Sequence, residues 1–106
     1  MLLIAPMMLM LAPAVPADPL GTARKAYSQC LSALVQPSLN QKMPLADFQA
    51  SLKRQCGDKE AAYRNAIIAD DKAAGMSASD AASDADDQVS EYVDKIVAEY
   101  EDYLTS

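Results

Sequence analysis

The sequence predicts an all-α fold: a small antiparallel three-helix bundle, made of a short first helix and a long helical hairpin, with one disulfide and a preceding N-terminal signal peptide. Three observations lead there. Apolar residues recur at spacings of three and four through most of the chain and do not alternate as in a strand. Pro19, Pro37, Pro44 and Gly75 punctuate the periodic runs where helices start and stop. The two cysteines, Cys30 and Cys56, allow a single pairing.

Residues 1–17 read as a cleaved signal peptide. Leu2 to Leu11 is uncharged and apolar, and the small residues Ala12, Ala14 and Ala17 offer A-x-A cleavage sites. Cleavage after Ala17 uses Val15 and Ala17; cleavage after Ala14 uses Ala12 and Ala14. A membrane-spanning helix needs roughly 20 apolar residues, whereas this run is shorter and is broken by Pro6, Pro13 and Pro16. No stable anchor is expected, and a buried N-terminal helix would lack a wet face. No Lys or Arg precedes the run, which leaves room for a start upstream of Met1. No Cys follows it closely, so lipid modification is not expected.

Taking 17 from 106 leaves 89 residues, Asp18 to Ser106, enough for one small domain that gains from a staple. Export permits Cys30 and Cys56 to oxidise. On the chain-entropy account, closing a loop of this length stabilises by about 3–4 kcal/mol. A redox-active pair is the alternative, but C-x-x-C spacing is missing.

The first helix spans about 20–36, with Tyr27, Cys30, Leu31, Leu34 and Val35 on one face. Asp18 suits the N-cap and Pro19 the first helical position, with Gly21 and Thr22 able to delay the start by a turn. Pro37 is expected to end it, and 37–43 to be irregular. Pro44 opens the second helix, about 44–74, marked by Leu45, Phe48, Leu52, Cys56, Tyr63 and Ile67 and stopped by Gly75. Gly57 costs about 1 kcal/mol within it; a continuous helix is preferred to a break capped by Asp58. Ser77 caps the third helix, about 77–104, with Asp80 placed as in a capping box. Its apolar stripe runs through Ala78, Ala81, Ala82, Ala85, Val89, Tyr92, Val93, Ile96, Val97, Tyr100 and Leu104.

A tight turn at Gly75 and Met76 pairs the last two helices antiparallel, so that facing residues have numbers summing to about 151. Lys72 then lies near Asp80, Arg64 near Asp87, Lys59 near Glu91 and Lys53 near Glu99. Alanines crowd both helices beside the turn, while bulky residues mark the far ends. The first helix is expected to fill that wide end, leaving a two-helix tip.

The net charge is −6 with a pI of about 4.4. From Asp18 to Met76 there are eight Lys or Arg against six Asp or Glu; from Ser77 onward Lys95 stands alone against nine acids. This balance argues against nucleic acid or anionic lipid as partner and favours a basic protein. Asp80, Asp84, Asp87, Glu91 and Asp94 form an acidic helix face, the candidate interaction surface.

Histidine and tryptophan are absent, which removes Ser-His-Asp and Cys-His catalysis and histidine zinc sites. Asp80, Asp84, Asp86 and Glu91 fall at positions 1, 5, 7 and 12 of an EF-hand-like window, but Ala82 and Ala85 occupy the ligand and glycine positions. Helical periodicity explains these acids without calcium. The tyrosines are expected to pack in the core rather than line a ligand groove, with Tyr103 off the main stripe. Glu99 and Asp102 read as surface acids, and the isolated glycines make no phosphate loop.

No catalytic residue, cofactor or metal is expected. The chain is read as a small secreted or periplasmic binding or envelope-accessory protein. In size, helicity and a single disulfide, though in no motif, it resembles the periplasmic acid chaperones, and an acid- or stress-responsive chaperone is the alternative. A carrier of a small apolar ligand is the second.

Overall fold

The computed structural model describes residues 18–106; the expected signal peptide lies outside them. Four helices follow in order: α1 Pro19–Ala33, α2 Val35–Asn40, α3 Leu45–Ala73 and α4 Ala78–Thr105. Among the described residues there is no strand.

α1 starts without delay at Pro19. The Asp18 carboxylate accepts from the Gly21 backbone N–H at 2.9 Å and satisfies one of the free donors of the first turn. Pro37 does not end the helical course, contrary to the expectation for 37–43. The break comes earlier, at Leu34, and Pro37 is the third residue of the short helix α2. A proline cannot donate to the carbonyl four residues back, here that of Ala33, and its ring would collide with it. Restarting the helix at Val35 moves Pro37 into a first turn, where its missing N–H is not needed. The first of the three expected helices is therefore divided in two, α1 and α2.

α2 closes in a Schellman motif: Met43 N–H donates to the Ser38 carbonyl and Lys42 N–H to that of Leu39, both at 3.0 Å. Lys42 takes the left-handed position with φ 53°. The same motif ends α3, with Met76 N–H on Asp71 and Gly75 N–H on Lys72, and here glycine supplies the positive φ of 98°. Pro44 is extended and stands one residue before the helix, so α3 begins at Leu45. α3 runs unbroken through Gly57 and at about 1.5 Å per residue reaches about 44 Å. Ser77 caps α4, its hydroxyl accepting from Asp80 N–H at 3.1 Å.

α3 is the shared partner of the bundle: α1 and α4 each pack along it and meet one another over a shorter stretch. Cys30 of α1 and Cys56 of α3 are disulfide-bonded, with their Cα atoms 5.9 Å apart. A bond of this kind persists in oxidising compartments and points outside the cytoplasm. No helix of the described residues is long and apolar enough to cross a membrane.

The core is continuous from Tyr27, Leu31 and Val35 through Phe48, Leu52, Cys56, Tyr63 and Ile67 to Ala85, Val89, Ile96 and Tyr100. Fully burying a side chain such as Ile67 contributes about 1.5–3 kcal/mol, against about 0–1 for an exposed ion pair; packing, then, sets the fold. Phe48 and Tyr100 stack with ring centroids 3.9 Å apart and planes 6° from parallel. Leu104, Ala78 and Ala82, all placed in the buried stripe from sequence, are exposed: Leu104 and Ala78 lie at the ends of α4 where little of α1, α2 or α3 faces them, and Ala82 is turned about 100° round the helix from the buried Ala81.

Candidate interaction face

The α4 sequence puts Asp80, Asp84, Asp87, Glu91 and Asp94 at alternating steps of four and three, so they share one side of the helix. Asp80, Asp87, Glu91 and Asp94 are exposed, and Asp84 is half-buried. Among the described residues the ion pairs are Arg64 with Glu60 at 3.7 Å and Arg64 with Asp86. The exposed acids of the stripe have no ionic partner there.

The hairpin register agrees with a sum near 151, since the Tyr63 hydroxyl donates to Gln88 Oε1 at 3.3 Å. The four expected charge pairs do not form. Arg64 takes Asp86 instead of Asp87, and Lys72, Lys59 and Lys53 make no ion pair. Neighbouring residues on a helix point about 100° apart. Asp86 lies on the flank of α4 toward Arg64, whereas Asp87 is carried round into solvent with the rest of the stripe.

Asp84 has a different neighbourhood from the other four acids. Gln88 Nε2 donates to Asp84 Oδ2 at 2.9 Å. Across the hairpin, Asp71 of α3 has its Oδ2 buried without a hydrogen-bond partner. The neighbouring Asp84 carboxyl holds Asp71 above the ordinary 3.8, and burial and the negative charge of Asp70 act in the same direction. Asp71 was not legible as a site residue, since the hairpin register near 151 sets it opposite Asp80 in the exposed stripe.

The residues of the EF-hand-like window are helical throughout, so they form no loop to wrap a cation. No group of three or more His, Cys, Asp or Glu side chains among the described residues is placed to hold a metal ion.

The tyrosines divide as packing requires. Tyr27, Tyr63 and Tyr92 cluster with centroids 5.7–6.3 Å apart, and Tyr103 is half exposed. The buried rings place their hydroxyls on acceptors, Tyr27 on Glu60 Oε1 at 3.4 Å and Tyr100 on the Met43 carbonyl at 2.6 Å. Arg24 of α1 lies over Tyr63, its guanidinium carbon 5.9 Å from the ring centroid. Beside the tyrosine cluster runs a groove of ≈ 310 Å³ lined by Tyr27, Gln49, Leu52, Lys53, Glu60 and Val93. It mixes apolar floor with charged rim and is not an apolar chamber.

Compared with protein-family profiles, curated proteins and solved structures, the chain has no match.

Proposed function

We propose that the chain is exported, loses residues 1–17 after Ala17, and acts in the secreted or periplasmic space as a binding or envelope-accessory protein without catalytic activity. Its contact surface is the acidic side of α4, and its partner is a protein with a basic patch. The observation that carries this reading is the exposure of Asp80, Asp87, Glu91 and Asp94 without ionic partners on a rigid helix. A single-sign stripe of this kind steers a complementary surface and sets its orientation.

The test is crosslinking and affinity capture from the native compartment, comparing the wild type with Asp80→Asn, Asp87→Asn, Glu91→Gln and Asp94→Asn combined. The wild type is expected to hold a basic partner whose binding weakens as salt rises, and the neutralised variant to lose it. Equal capture by both, or no capture by either, overturns the reading.

The disulfide supports the non-cytoplasmic part of the proposal. The acid-opened chaperone draws less support, since it needs interhelical ion pairs to lose in acid and among the described residues Arg64 alone makes one with α4.

A further inference from the structure

Lys53 and Glu60 stand seven positions apart on α3, about 10 Å along its axis at about 1.5 Å per residue. Both line the groove of ≈ 310 Å³ that α3 and α4 form over Tyr27 of α1. Its volume falls at the small end of the range for ligand sites. Val93 of α4 is a half-buried apolar wall, and Leu52 and Tyr27 lie at the base.

The two ends of the groove carry opposite charge. At one, the exposed Lys53 ammonium has no ion pair among the described residues. At the other, Glu60 Oε1 accepts from the Tyr27 hydroxyl at 3.4 Å, and Glu60 Oε2 faces Arg64 at 3.7 Å. Arg64 also pairs with Asp86, so two carboxylates share one cation and a negative charge is left over. A carboxylate has about four acceptor sites. Glu60 therefore keeps capacity for a further donor, while the bond from the buried Tyr27 ties it to the core.

This pattern selects a ligand by charge and length. A dicarboxylate would set one anion against Glu60, and a diamine would set one cation against Lys53. A fatty acid would satisfy Lys53 but lay its tail on the pair of Glu60 and Arg64, where desolvation goes uncompensated. The charges of a free amino acid lie too close together to reach both ends. An extended peptide advances about 3.3 Å per residue, so about three residues span the interval.

We propose that this groove binds a short zwitterionic peptide of about three residues, its terminal carboxylate on Lys53, its terminal ammonium on Glu60 and an apolar middle side chain against Val93. Gln49, one turn beyond Lys53, adds amide N–H donors at the carboxylate end. The site is separate from the contact proposed for a basic protein, since no member of the acidic stripe lines it.

NMR titration of the purified full chain with alanyl-leucyl-alanine tests the site. Saturable shifts of the Gln49, Lys53 and Val93 amides are expected, with a Kd of about 1 mM or below; no saturable shift up to about 10 mM overturns the proposal. Acetylating the amino end of the peptide, or amidating its carboxyl end, is expected to weaken binding about three- to tenfold. A capped peptide that binds as well as the free one overturns it. Lys53→Met is expected to lose the effect of amidation and keep that of acetylation; Glu60→Gln, which retains an acceptor for Tyr27, is expected to do the reverse. Variants that respond to both caps as the wild type does overturn the pairing. Should a variant fail to fold, the caps on the wild type decide. Decanoate is expected to bind about tenfold more weakly than the peptide, and equal or tighter binding overturns the zwitterion in favour of a fatty acid.

Discussion

The Tyr100 hydroxyl donates to the Met43 carbonyl oxygen at 2.6 Å, joining the last helix to the loop ahead of α3 across 57 positions of chain. Tyr100 is fully buried and stacked on Phe48, and the bond itself is part-buried. Tyr100→Phe keeps the stack and strands the carbonyl. It is expected to cost about 1–2 kcal/mol, read as a lower urea midpoint with unchanged slope; no change would show that water replaces the hydroxyl.

The buried phenols give stability an alkaline limit. Burial pushes both Tyr27 and Tyr100 above the ordinary 10.0, and Glu60 beside the Tyr27 hydroxyl adds to it. Their contribution is full below pH 10.0 and is lost as pH rises through the folded values, since the unfolded chain ionises first. Circular dichroism is expected to show thermal stability falling from about pH 10 upward, with a shallower fall in Tyr27→Phe.

Two backbone positions carry residues poorly matched to their conformation. Lys42 is left-handed and exposed, and Lys42→Gly is expected to stabilise by about 1 kcal/mol. Gly57 lies within α3, and a Cβ there meets nothing within 4 Å. Gly57→Ala is therefore expected to add about 0.5–1 kcal/mol. Thermal melts of the single and double variants check both, and additivity is expected because one residue is in a loop and the other in a helix.

Replacing both cysteines, Cys30→Ala with Cys56→Ala, is expected to cost about 3–4 kcal/mol in chemical denaturation. The cost concentrates on α1, whose other ties to α3 are Tyr27, Leu31 and their neighbours. Exchange of α1 amides should rise before that of α3 and α4. Uniform loosening of all three would mean that α1 does not open as a separate unit.

Much of the fold was legible because its signals are local. Asp18, Ser77 and Gly75 act within one helical turn of themselves, and their caps and stop are where their chemistry puts them. The hairpin register was legible from the turn and the size pattern, and Tyr63 on Gln88 agrees with it. Pro37 was misread because a proline breaks a helix only where its N–H is needed, and a break at Leu34 three residues earlier removes that need. Of the acidic stripe, four members are exposed as the periodicity implies, while Asp84 is half-buried and accepts from Gln88.

By itself, the sequence determined the helices, their caps, the antiparallel register and the one possible cysteine pairing, since each depends on spacing along the chain. Only the tertiary structure decided that Arg64 reaches Asp86 rather than Asp87, and that the tyrosine hydroxyls find Glu60, Gln88 and Met43. Those choices turn on how far each helix is rotated about its axis. A shift of one residue rotates a side chain by about 100°, and the rotation is set by how the buried rings and alanines pack, which no spacing along the chain records.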